Sequence, residues 1–164
     1  GEYRDVPDVT LVNQDNKLMK LGALKGKPFL MSFGYTYCPD VCPMTLSDFR
    51  RVKRELGDAG EDVNFVFVSV DPERDSPERL KRYVQTFDPE FVGLTGDDAS
   101  LQKLVYALDG LYEKQKPNEG DPNSYTMAHT SFVYLFDENG KWKMKYPFGT
   151  PVDVLTADLK AQLQ

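Results

Sequence analysis

Histidine is almost absent from this chain. There is one, His129, in 164 residues, and only two cysteines, Cys38 and Cys42, accompany it. A single imidazole excludes any centre that needs two or three, and two thiols exclude a zinc site or an iron–sulfur cluster held by four cysteines of one chain. Positive charge is also short: 20 Lys and Arg face 26 Asp and Glu, a net charge of −6. Nucleic acid is therefore not expected as a partner, because phosphate binding needs a basic footprint. No apolar run approaches the roughly 18–20 residues that span a bilayer, and no secretory leader is recognisable. Gly1 reads as a trimmed end, so an anchor is expected to precede it in the parent protein.

What is present alternates between strand and helix patterns. Val9–Val12 and Leu18–Leu21 flank a polar turn and predict an N-terminal β-hairpin. Pro28–Phe33 and Val63–Val70 are short apolar runs, expected as buried central strands. Leu46, Phe49, Val52 and Leu56 recur at helical spacing, with Gly57 as the stop. A second helix is expected at Pro77 with Asp75 as its N-cap, a third around Leu101–Leu108, and a last one carrying Val152, Leu155 and Leu159. Ser131–Phe136 and Lys141–Tyr146 bracket Asp137-Glu138-Asn139-Gly140, a hairpin signal. Residues 113–126, with Pro117, Gly120 and Pro122, read as a surface loop preceding His129. The length and this order predict one α/β domain over residues 1–164, with a central mixed sheet flanked by helices. A strand running straight into a cysteine-bearing helix start is the thioredoxin-like arrangement.

The cysteines lie at i and i+4, in Cys38-Pro39-Asp40-Val41-Cys42-Pro43. On a helical segment both sulfurs share a face, with Cα atoms about 6 Å apart, within disulfide reach. Pro43 is expected as the first helical residue, placing Cys42 at or next to the N-cap, where free N–H groups and the helix dipole favour a thiolate. The pair can close as a disulfide or clamp one soft metal ion. In a thioredoxin-like layout the loop before the late hairpin passes beside the cysteines, so His129 faces the two sulfurs. Two thiolates and one imidazole suit Cu(I), and copper leads the divalent affinity series, while zinc also accepts this set with one added oxygen. Met127 offers a thioether, but packing is the expected role. Asp71 follows the Val63–Val70 strand. It is read evenly as a hydrogen-bond partner of His129 or fourth donor to Cu(II), and as a cap of the Asp-Pro turn. Phe33, Tyr35 and Tyr37 are read first as packing on a strand end and second as a shield for the metal.

FGYTYCPDVCP (Phe33–Pro43), VSVDPERDSP (Val68–Pro77), FVGLTG (Phe91–Gly96) and the strand start at His129 resemble, in this order, the SCO/SenC family. The resemblance implies a thioredoxin-like fold and one copper ion, Cu(I) or Cu(II), held by Cys38, Cys42 and His129. It implies Asp71 as the family's acidic residue near the site. It also implies a role in assembling the CuA centre of cytochrome c oxidase subunit II, by donating copper or by reducing that site's cysteines, with another copper carrier as donor. A membrane-anchored, extracytoplasmic monomer is expected. Tyr37 departs from the family pattern, in which many members carry His before the first cysteine. Three activities stay open: copper metallochaperone, thiol–disulfide oxidoreductase through the Cys38–Cys42 pair, and redox sensor. Whether the chain is an enzyme is left open with them.

Overall fold

The computed structural model describes residues 4–115, 120–121 and 124–164. The strands are β1 (Arg4–Asp5), β2 (Thr10–Asn13), β3 (Leu18–Lys20), β4 (Phe29–Gly34), β5 (Asn64–Ser69), β6 (Val92–Thr95), β7 (Tyr112–Lys114), β8 (Met127–His129), β9 (Phe132–Phe136) and β10 (Lys141–Pro147). The helices are α1 (Val41–Leu56), α2 (Pro77–Phe87), α3 (Asp98–Ala107) and α4 (Val152–Gln162). Eight strands form one sheet in the order β1-β10-β9-β4-β5-β6-β2-β3, and β7 pairs with β8 in a separate ribbon. The centre, β4-β5-β6, is parallel, and the flanking pairs are antiparallel.

The central strands are apolar on both faces because both faces are covered. Successive side chains alternate across a strand. Phe29, Met31 and Phe33 of β4 and Val66 and Val68 of β5 therefore join Leu101, Leu104 and Val105 of α3 on one side. Leu30, Phe65 and Phe67 face the other way and pack with Leu46, Phe49 and Val52 of α1, Leu80 and Val84 of α2, and Leu155 and Leu159 of α4. This second layer points the start of α1 at the C-terminal ends of β4 and β5, the edge at which an open α/β sheet binds ligands.

Several expectations change. Helix α1 begins at Val41, not Pro43, with Asp40 as its N-cap residue. Cys42 is thus the second helical residue, and Pro43 is the third. Proline is tolerated there because a first-turn N–H has no partner in the helix. The N-cap of α2 is Ser76, whose side chain accepts from the Arg79 N–H, so Asp75 is released for another role. Glu113 and Lys114, expected in a surface loop, belong to β7, and Gln115 N–H still donates to Thr126 C=O at 2.8 Å. The rest of that expected loop lies partly outside the described residues, at 116–119 and 122–123. Strand β1, not anticipated, pairs with the edge of β10.

Phe49 is fully buried against the rings of Phe65 and Phe91, at 5.7 and 6.5 Å between centroids. Phe49→Ala is expected to destabilise the fold by about 3–5 kcal/mol, the cost of an aromatic-sized cavity. Urea unfolding followed by circular dichroism checks this, and a loss under about 1 kcal/mol contradicts the packing described.

Candidate metal centre

Strand β4 ends at Gly34, and the chain turns through residues 35–40 into α1. Gly34 faces α1, in phase with Leu30 and Ser32. A Cβ built there would strike the Cys42 Sγ and lie 2.7 Å from Phe67 Cε2. Glycine is thus required because the sulfur occupies the space a side chain would take, not because of backbone strain. The turn itself is fastened from below. Asp75, fully buried, accepts from Thr36 N–H at 2.9 Å, from the Thr36 hydroxyl at 2.6 Å and from the Ser69 hydroxyl at 2.6 Å. A buried carboxylate with three such donors is well compensated. It ties the cysteine turn to the end of β5. Cys38 N–H then donates to Tyr35 C=O at 3.1 Å, closing the turn.

The sulfurs of Cys38 and Cys42 and a ring nitrogen of His129 all lie within 4.8 Å of one another. The sequence expectation that these three residues converge is met. Both cysteines are free thiols; Cys42 is buried and Cys38 half-buried. His129 Nε2 sits 3.7 Å from Cys42 Sγ, while Nδ1 lies 3.1 Å from the Thr130 carbonyl. A carbonyl only accepts, so that hydrogen bond requires a proton on Nδ1, and Nε2 is the ring nitrogen that faces the sulfurs. The ring of Tyr35 meets the imidazole edge-on at 5.9 Å.

The two thiols are electrostatically unequal. A hydrogen bond from Cys42 pulls the pKa of the Cys38 thiol down to about 3, with His129 and the backbone N–H groups of Asp40 and Cys42 assisting against burial. Cys42 moves the other way: it serves Cys38 as donor, and burial and the nearby Asp75 charge further disfavour its thiolate. The apo site is therefore a thiolate–thiol pair with the His129 imidazole beside it. That is a soft donor set with the ligand types copper(I) prefers.

Asp71 is buried, and each of its carboxylate oxygens accepts a hydrogen bond. Oδ1 accepts from the Tyr125 hydroxyl and Oδ2 from Arg74 Nε, each at 2.6 Å. Its carbonyl also accepts from Arg74 and Asp75 N–H. Met127 is buried and packs, as expected. Phe33 and Tyr35 are buried in the core, whereas Tyr37 is half-exposed with the guanidiniums of Arg79 and Arg74 over its ring at 4.0 and 4.6 Å. Gly34, Thr36 and Tyr125 were not singled out from sequence. For Gly34 the available signal is a glycine at the end of an apolar strand, four residues before a cysteine.

A profile of the SCO1/SenC family matches residues 3–164. The chain belongs to the SCO1/SenC family. It is 35 % identical over 149 residues to a SCO2-like protein of Rickettsia felis, covering 90 % of this chain and 72 % of that one. ScoI of Bradyrhizobium japonicum, solved with copper bound, superposes with a TM-score of 0.85 at 38 % identity, over 97 % of this chain and 99 % of that one. BsSco, described as a member of the Sco family of cytochrome c oxidase assembly proteins with a disulfide switch, superposes with a TM-score of 0.74 at 29 % identity, over 98 % and 94 %. Across the rickettsial relatives the chain spans 64–72 % of their lengths. With the strand order above, these likenesses make the fold thioredoxin-like.

Cys38 should react with iodoacetamide in the reduced apo protein at nearly the same rate from pH 8 down to pH 5, because its depressed pKa keeps it a thiolate. An ordinary thiol, with a pKa near 8.5, loses about tenfold in rate per unit below that value. A rate at Cys38 that falls in this ordinary way contradicts the assigned pair. Gly34→Ala should push the Cys42 sulfur from its place. Lost reactivity differences between the two cysteines, with a circular dichroism spectrum like the parent's, would report that displacement.

Proposed function

We propose that this protein is a copper carrier in which Cys38, Cys42 and His129 hold one copper ion as cargo. The observation that carries this reading is the convergence of two thiols and one imidazole within 4.8 Å. The copper-bound Bradyrhizobium relative supports it at 38 % identity over almost the whole chain. Binding Cu(I) displaces the Cys42 proton and draws the sulfurs and Nε2 onto one ion. Three-coordinate copper leaves a side open, so an acceptor's cysteine can enter before a carrier's ligand leaves. The acceptor we infer is the CuA site of cytochrome c oxidase subunit II, with another copper carrier upstream. The naming of BsSco as a member of a family of oxidase assembly proteins supports that assignment.

A second activity of the same sulfurs is favoured by their unequal protonation. Cys38, half-exposed and anionic, is the attacking thiolate of a disulfide reductase, and buried Cys42 is the resolving thiol. Cys38 attacks a partner disulfide, a mixed disulfide forms and one partner thiolate leaves. Cys42 then loses its proton and attacks the Cys38 sulfur, which releases the partner dithiol and leaves the Cys38–Cys42 disulfide. Such chemistry suits an extracytoplasmic compartment, and we place the protein there, held at a membrane by a segment of the parent chain. Among the described residues no helix is long and apolar enough to cross a membrane. The continuous eight-stranded sheet supports reading the chain as one domain.

Titration of the reduced protein with Cu(II) under anaerobic conditions tests the carrier reading. One equivalent should bind per chain with a thiolate-to-copper charge-transfer band, and His129→Ala should weaken binding by at least about tenfold, since no other histidine exists to replace it. If no band develops and copper stays with a weak chelator, the carrier reading fails. If His129→Ala still reduces a partner disulfide at the parent rate while copper binding is lost, the two activities are separable.

A further inference from the structure

His129 is borne by a ribbon outside the main sheet: among the described residues β7 and β8 pair only with each other. Something must hold that ribbon against the cysteines. Four residues before His129 stands Tyr125, 3 % exposed although it follows a polar stretch. Its hydroxyl donates to Asp71 Oδ1 at 2.6 Å. Asp71 Oδ2 accepts from Arg74 Nε at 2.6 Å, and the Arg74 guanidinium stacks back on the Tyr125 ring with Cζ 3.7 Å from its centroid. Lys114 Nζ, from β7, lies 4.1 Å from the same centroid. Tyr125, Asp71 and Arg74 thus close a ring of one hydrogen bond, one ion pair and one cation–π contact. Asp71 and Arg74 belong to the turn that leaves β5, so the ring joins the ribbon to the body of the sheet.

We propose that Tyr125 is a positioning residue for His129, its hydroxyl latching the β7–β8 ribbon to Asp71 and Arg74 so that the imidazole is delivered to the two sulfurs. The inference rests on the reading of Cys38, Cys42 and His129 as copper ligands. It gives Asp71 a part in the site through Tyr125, from whose hydroxyl it accepts. A latch in a low-dielectric setting is costly to leave half-made, because removing the hydroxyl leaves a buried carboxylate oxygen without its donor. When the ribbon spends time detached, copper affinity falls by the fraction of molecules in which His129 is out of place.

Tyr125→Phe tests this, because it keeps the ring and its stacking and removes only the donor. Hydrogen exchange of the metal-free protein, read by mass spectrometry, should show faster exchange confined to peptides of β7 and β8. Competition titration should show Cu(II) affinity lowered about 10- to 100-fold, the range for residues that orient a ligand. In an Asp71→Ala background, which removes the acceptor, Tyr125→Phe should cost little further. Unchanged exchange, or faster exchange with parent-like affinity, overturns the proposal. So does a full further loss when Tyr125→Phe is added to Asp71→Ala, since the hydroxyl would then act by another route. If the parent protein itself binds no copper, the carrier reading fails, while the exchange experiment still judges the latch.

Discussion

The 3.7 Å approach of Cys42 Sγ to His129 Nε2 joins residues 87 positions apart and is the contact on which the site depends. Each side of it is prepared separately. On the sulfur side, Gly34 withholds a Cβ so that Cys42 can lie over the end of β4. On the imidazole side, the Thr130 carbonyl holds a proton on Nδ1 and turns Nε2 toward the sulfurs. Neither preparation involves a metal. The protein therefore offers a site whose donors are already in place, and little ordering entropy remains to be lost when an ion arrives.

Two of the three carboxylates of the DPERD segment, Asp71 and Asp75, divide the remaining work. Asp75 fastens the cysteine turn through Thr36 and Ser69, and Asp71 engages Tyr125 and Arg74 on the side of the His129 ribbon. The two positions are four residues apart on the same edge of the sheet.

Much of this was legible in the sequence, and the failures share one cause. The apolar runs of β4 and β5, the helical spacing from Leu46 to Leu56 and the Asp-Glu-Asn-Gly hairpin are local signals, and each element formed within a residue or two of its expected span. The convergence of Cys38, Cys42 and His129 was legible because the chain has only two thiols and one imidazole. Asp75 was misplaced as an N-cap because the capping rule is local and Ser76, next to it, satisfies the same rule. Its true partner, Thr36, is 39 residues away. Tyr125 and Gly34 matter through what faces them in space, and neighbouring residues carry no sign of that. Helix α1 started earlier than Pro43 suggested because proline is admitted throughout the first turn, not at one position alone.

Whether two sulfurs and one imidazole bind one copper decides between this site and any other. X-ray absorption at the copper edge, on the Cu(I)-loaded protein, reads that shell directly. Two sulfur scatterers and one imidazole per copper are expected, with the imidazole signal lost in His129→Ala. A shell of nitrogen and oxygen alone, or an imidazole signal that survives His129→Ala, would contradict the assignment.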